Sequence, residues 1–129
     1  MFTADQLVAH AVGDYLIQSH WMATEKVKRS VAAAVHAASY GVPFLLLRPS
    51  PAALAVIVAS HFVIDRWRLA RWVVWAKNHL APPGHEAVAE VYDTTGYPSD
   101  VPPWLAVWLL IIVDNVLHVL INGGDLTWL

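Results

Sequence analysis

Residues 109–119 read LLIIVDNVLHV, an apolar run carrying Asp114, Asn115 and His118 where a membrane-crossing helix would find polar groups hardest to solvate. Asp114 and His118 are four positions apart, so on a helix they lie one above the other on a single face. The run is either a span burdened with two costly residues or one part of a shared site, and the other segments decide between these.

The composition favours a membrane setting. The chain has 129 residues, 57% of them hydrophobic and 14% charged. Its mean hydropathy is +0.48, outside the ordinary soluble range. Cysteine is absent, which excludes a disulfide framework and a thiolate metal site. Every Lys and Arg lies between Lys26 and Lys77, while Glu86, Glu90, Asp93, Asp100 and Asp125 follow. That distribution is not a nucleic-acid footprint, and no nucleic-acid partner is expected. The N-terminal MFTADQLVAH has neither a basic region ahead of an apolar core nor a cleavage pattern, so the first helix is expected to belong to the mature protein.

Four apolar segments can be marked out, giving an all-α fold: a single integral membrane four-helix bundle over residues 1–129, up-down-up-down, with a loop at about 81–103. The first segment runs from Thr3, a suitable cap, to Trp21, with His10, Asp14 and Gln18 on one stripe; it either spans the bilayer or lies in its interface. The second, Ser30 to Leu47, just reaches the roughly 18–20 residues a hydrocarbon core requires. The third starts at Ser50 or Pro51 and leads into DRWRLARWVVWAKNH, where Arg and Lys interleave with Trp67, Trp72 and Trp75 as among lipid headgroups. The fourth, Trp104 to about Asn122, is expected to stop at NGG. The loop is rich in Pro, Gly and acids, with room for a short helix from Glu86 to Tyr92.

Basic residues set an orientation. Lys26, Lys28 and Arg29 share one side with the Arg-rich end of the third helix, which would be the cytoplasm, leaving both termini outward in a bacterial inner membrane. A soluble helical bundle is the alternative, because the first and third segments are short for spans.

The ionisable residues inside the segments are His10, Asp14, His36, His61, Asp65, Asp114 and His118. Helices one and three read His-x3-Asp, while helix four reads Asp-x3-His. Helix four runs against the other two in this topology, so the reversal returns Asp14, Asp65 and Asp114 to one level and His10, His61 and His118 to another, roughly 6 Å away. His36 enters from helix two.

Such a set suits one or two divalent metal ions, Zn²⁺ foremost, with Mn²⁺ or Fe²⁺ also served. Two plainer readings stand beside it: Asp–His pairs that only fix helix register, and a proton or ion relay. Gln18 could support the site or lie in the interface; Asn115 points about 100° away from Asp114. There is no Walker motif, no G-x-S-x-G and no H-E-x-x-H.

HAVGDYLIQSHWM, AAVHAAS, HFVIDRWR and VDNVLHVL resemble successive blocks of a domain-of-unknown-function family, number 3307, of small multi-pass membrane proteins in bacteria and their phages. The first block, H-x3-D-[YF]-x2-Q-x2-W-M, is the most specific. By this resemblance His10, Asp14, Gln18, His36, His61, Asp65, Asp114 and His118 fall on recurrent polar positions. Asn115 departs where Gln is more usual, and Arg66 and Arg68 lie near a position often held by Lys. The family implies no activity.

The leading functional expectation is a membrane-embedded, metal-dependent hydrolase of a lipid-linked or membrane-associated (phospho)ester, with Asp14 or Asp65 as general base. Lys26, Lys28, Arg29, Arg66 and Arg68 would draw anions to the same mouth, although topology alone accounts for them. The alternative is a non-enzymatic phage or bacterial envelope protein, or a small channel. Membrane lipid is the expected partner, and a homo-oligomer is compatible with either reading.

Overall fold

A computed structural model describes residues 3–80, 82, 95–98 and 100–129, and every regular element among them is helical. The short helix expected from Glu86 to Tyr92 lies outside the described residues.

The first segment begins as its sequence suggests and then departs. Thr3 Oγ1 accepts from the Gln6 amide at 3.2 Å and caps α1 (Ala4–Ala11). Instead of continuing to Trp21, the helix widens into a π-helical turn over Val12–Leu16, which Ile17 closes by donating to the Val12 carbonyl at 3.0 Å. A second cap at Ser19, accepting from the Met22 amide at 3.3 Å, starts α2 (His20–Glu25). Gly13 permits the turn: a Cβ there would stand 2.7 Å from Tyr40 Cδ2 and 2.9 Å from the Tyr40 carbonyl oxygen. Turns of this kind recur where a helix must re-aim a functional side chain, and here the residue re-aimed is Asp14.

Helix α3 (Ser30–Gly41) is prolonged by a 3-10 turn over Pro43–Leu47 and ends at Arg48, whose φ of 53° is left-handed. Helix α4 (Pro51–Trp67) starts at the expected pair, with Ser50 Oγ accepting from the Ala53 amide at 3.0 Å. The basic tail is not its continuation. Arg68 adopts φ 51°, a conformation no helix can propagate, and α5 (Ala70–His79) begins afresh. Helix α6 (Pro103–Trp128) runs for 26 residues straight through NGG, where a stop was expected. Each interior Gly costs a helix about 1 kcal/mol, but burial of Asn122 and Gly123 and the Thr127 hydroxyl donating to the Gly123 carbonyl at 2.6 Å keep the helix continuous.

The chain forms two compact units, Met1–Trp67 with Leu117–Leu129, and Arg68–Val116. In the first, Ala9, Tyr40, Phe44 and Ile57 make an apolar core supported by Leu47, Leu54 and Leu126. Small residues on α3 bring α4 close: a Cβ on Gly41 would lie 2.7 Å from Val58 Cγ2. Next to this core the buried side chains are polar, namely Gln6, His10, Asp14, His36, His61, Asp65, His118 and Asn122. Leu16 and Leu46, by contrast, are 79% and 86% exposed. The unit thus buries a polar cluster beside its apolar core while leaving large apolar side chains exposed.

In the second unit α5 holds Arg71 over the Trp72 ring and stacks Trp75 on His79. Gly96, at φ 80°, lies directly against the Arg71 carbonyl, and Lys77 donates to the Tyr97 hydroxyl at 3.0 Å.

Two helical stretches, Ser30–Leu47 and Pro103–Trp128, are long and apolar enough to cross a membrane. The four expected spans therefore reduce to two that meet this measure. Helix α1 has only 8 residues, and α4, with 17, lies at the lower limit of the roughly 17–25 needed.

Candidate metal centre

Four side chains from three elements converge in the first unit. The π-turn aims Asp14 inward, α3 supplies His36, and α4 supplies His61 and Asp65 one helical turn apart. All four are buried, and one ligand atom from each lies within 4.8 Å of every other.

The pairwise distances carry chemical information. His36 Nε2 is 3.0 Å from His61 Nε2, 3.3 Å from Asp14 Oδ1 and 3.2 Å from Asp65 Oδ2. His61 Nε2 is 3.1 Å from Asp65 Oδ2 and 3.8 Å from Asp14 Oδ1. These are five of the six edges of a tetrahedron. Zinc bonded at about 2.0–2.1 Å to nitrogen and oxygen gives edges of about 3.3 Å.

Hydrogen bonding alone serves this cluster poorly. A neutral imidazole Nε2 either donates one bond or accepts one, yet His36 Nε2 has four polar atoms within 3.4 Å, the fourth being Lys26 Nζ. The Nδ1 atoms of His36 and His61 are buried without a hydrogen-bond partner among the described residues, so neither ring has behind it the acceptor that commonly orients a metal-bound imidazole. A divalent ion between the four atoms would take one lone pair from each at once.

The sequence reading puts Lys26 with the other cations at the mouth of the site, and the structure turns it inward to Asp65. Its ammonium donates to Asp65 Oδ2 at 2.8 Å, with only 17% of the side chain exposed. Arg66 holds this turn in place, Nη1 donating to the Val27 carbonyl at 2.7 Å and Nε to Ser30 Oγ at 3.2 Å. The turn carrying Lys26, Lys28 and Arg29 and the end of α4 are thereby tied together.

A second layer lies against the first. Tyr40 stacks on His61, and the His61 and His118 ring centroids are 4.2 Å apart. The Tyr40 hydroxyl oxygen lies 2.8 Å from His10 Nδ1 and accepts from Asn122 Nδ2 at 2.6 Å. Gln6 Nε2 donates to the Val119 carbonyl at 2.8 Å, fastening α1 to α6.

The expected separate Asp and His levels do not form, because His61 Nε2 lies 3.1 Å from Asp65 Oδ2. His10, His61 and His118 pack together beside Tyr40, and Asp14 and Asp65 meet at His36. Both carboxylates contribute an oxygen to the four-atom set, so neither stands apart from it as a separate general base. Asp114 lies one turn before His118 on α6, half-buried and within the second unit. Gln18 follows the π-turn with Oε1 buried and without a hydrogen-bond partner among the described residues. Tyr40 and Asn122 are the residues sequence reasoning missed, and the direct ion pair of Lys26 with Asp65 was not foreseen. The signal for Tyr40 was its place four residues after His36, on the same face of a nearly apolar helix.

No curated protein and no solved structure matches the chain. A family model matches residues 2–89, more than half of the chain. The matched stretch contains His10, Asp14, Gln18, His36, His61 and Asp65, hence the whole four-ligand set, and ends before α6, leaving VDNVLHVL outside it. The chain belongs to the family described as protein of unknown function, DUF3307.

Proposed function

We propose that this chain is a membrane-embedded metal-binding protein whose Asp14, His36, His61 and Asp65 hold one divalent ion, Zn²⁺ by preference, with Mn²⁺ or Fe²⁺ as alternatives. The observation that carries the reading is the mutual closeness of four buried ligand atoms on three elements, with five of their separations between 3.0 and 3.8 Å. Two carboxylates and two imidazoles match zinc in charge and softness. The polar interior, the apolar outer faces and the two long apolar helices support a bilayer setting, in which bacterial inner membrane lipid is the partner.

The reaction best suited to such a centre is hydrolysis of a lipid-linked or membrane-associated phosphoester. A divalent ion supplies a polarised oxygen and a water activated near neutral pH. The residues of this chain would supply burial, which excludes bulk water, and cations at the entrance, with Lys26 nearest the ligands and Arg66 bracing its turn.

A second reading has one observation in its favour. The Lys26–Asp65 ion pair at 2.8 Å already offsets part of the carboxylate charge, as a metal-free structural or proton-relay network in an envelope protein or small channel would require.

Metal analysis of detergent-purified chain, with His61→Ala and Asp65→Ala alongside, separates the two. Stoichiometric metal in the parent and its loss in both variants is the expected result. A well-folded parent free of metal, even after incubation with Zn²⁺, overturns the proposal in favour of the network.

A further inference from the structure

Helix α5 buries one narrow stripe. Ala70 and Val74 are inside, and Gly96 packs on that side, where a Cβ would stand 3.0 Å from Val74 Cβ. Helical periodicity turns Trp72, Trp75, Ala76 and His79 the opposite way, and Val73 and Leu80 widen the arc. Among the described residues this side is uncovered, with Trp72 54% exposed and Leu80 84%. Arg71 and Lys77 stand one on each margin of the arc, Arg71 Cζ 5.1 Å from the Trp72 ring centroid and Lys77 Nζ 5.3 Å from that of Tyr97. From Arg66 to His85 the sequence has no Asp or Glu, while Arg66, Arg68, Arg71 and Lys77 are all cationic.

We infer that α5 is an interfacial helix that sets the face of Trp72 and Trp75 into the surface of an anionic phospholipid bilayer, with Arg71 and Lys77 reaching the headgroup phosphates. This rests on the membrane-embedded reading of the chain and deepens it by naming the lipid class.

The distribution of residue types selects that occupant. Indole rings favour the boundary between hydrocarbon and headgroups, and Arg and Lys on the margins can lay their stems beside the rings while lifting their charges to the phosphates. The Lys77 ammonium donates to the Tyr97 hydroxyl at 3.0 Å and has two further protons to offer. Charge sign selects the lipid: a cation near an anionic surface strengthens attachment about fivefold, and α5 has no carboxylate to oppose it. A second copy is a poorer fit, because a two-fold contact through this face would gather the cations of both chains with no acid of α5 between them. The left-handed Arg68 interrupts the helix before α5, so this face is not bound to continue a span.

Because the chain has no cysteine, Ala76→Cys gives a single attachment point within the face for nitrobenzoxadiazole, a fluorophore that brightens and shifts to the blue on leaving water. The labelled full-length chain is reconstituted from detergent into nanodiscs of phosphatidylcholine alone and of an equimolar mixture with phosphatidylglycerol. The expected result is a blue-shifted, brighter emission in the anionic discs, a difference that shrinks in high salt. Arg71→Gln combined with Lys77→Gln should lower the ratio of inserted to exposed label by about fivefold per cation. Incorporation with the same emission in both discs overturns the inference and leaves the embedded reading standing. A blue shift that follows the chain-to-lipid ratio instead of phosphatidylglycerol assigns the face to a second copy and overturns it too. Failure to enter either disc overturns both readings. Lipid composition and salt decide the matter even where the charge variants fail to fold.

Discussion

Tyr40 lies face to face with His61, the ring centroids 3.6 Å apart and the planes within 13° of parallel. The stack fixes one imidazole of the candidate centre from above, while the Tyr40 hydroxyl oxygen reaches His10 and Asn122 on two other helices. One side chain therefore joins both layers of the polar interior.

Tyr40→Phe keeps the stacked ring and removes the hydroxyl. Two buried nitrogens then lose that oxygen, at a cost of about 1–3 kcal/mol. Thermal unfolding in detergent should show this loss, with zinc stoichiometry at Asp14, His36, His61 and Asp65 unchanged. Loss of that zinc in Tyr40→Phe would show that the hydroxyl has a closer part in the metal centre than its contacts indicate.

Gly13 and Gly124 should respond oppositely to alanine. At Gly13 the new Cβ meets the Tyr40 carbonyl oxygen at 2.9 Å, so the π-turn must withdraw and take Asp14 with it. Zinc affinity, read by chelator competition, should fall by about tenfold or more, equivalent to about 1.4 kcal/mol. At Gly124 the nearest atom is Trp128 Cζ3 at 3.4 Å, an ordinary contact, and removing an interior helix glycine should stabilise by up to about 1 kcal/mol. Equal effects at the two positions would remove the close approach of Gly13 to Tyr40 as the reason for the turn.

Lys26→Met removes an ammonium that competes with an incoming cation for Asp65 Oδ2. Zinc affinity should rise by about tenfold, measured by the same chelator competition. A fall instead would show that Lys26 supports the metal-bound state, and would place it with the ligands' positioning partners.

Absence of cysteine makes the chain suitable for labelling at introduced thiols. If the chain crosses four times with its basic loops inward, as we propose, an impermeant maleimide applied to sealed right-side-out vesicles should modify Leu129→Cys at once and Lys28→Cys only after lysis. Labelling of both from the same side would refute the four-span arrangement.

Much of the candidate site was legible as spacing. His10 with Asp14 and His61 with Asp65 recur at four-residue intervals in segments too apolar to solvate them, and each pair duly turns to one interior. His118 lies beside His10 and His61, with ring centroids 5.9 and 4.2 Å away. Helix starts at Thr3 and Ser50 were legible because a side-chain oxygen three residues before an unpaired amide is a local device.

Other features depend on contacts that no local pattern encodes. Lys26 looks like any loop cation until α3 and α4 bring Asp65 beneath it. The break after α1 follows from Gly13 meeting Tyr40, and the persistence of α6 beyond NGG follows from burial of Asn122 and Gly123. Amino-acid order alone determined which residue types would be buried, because helical periodicity places positions four apart on one face. Tertiary structure alone decided which atoms face one another: whether an oxygen of Asp14 looks to His36 or to His10 depends on how closely separate helices approach, a matter of packing across the chain.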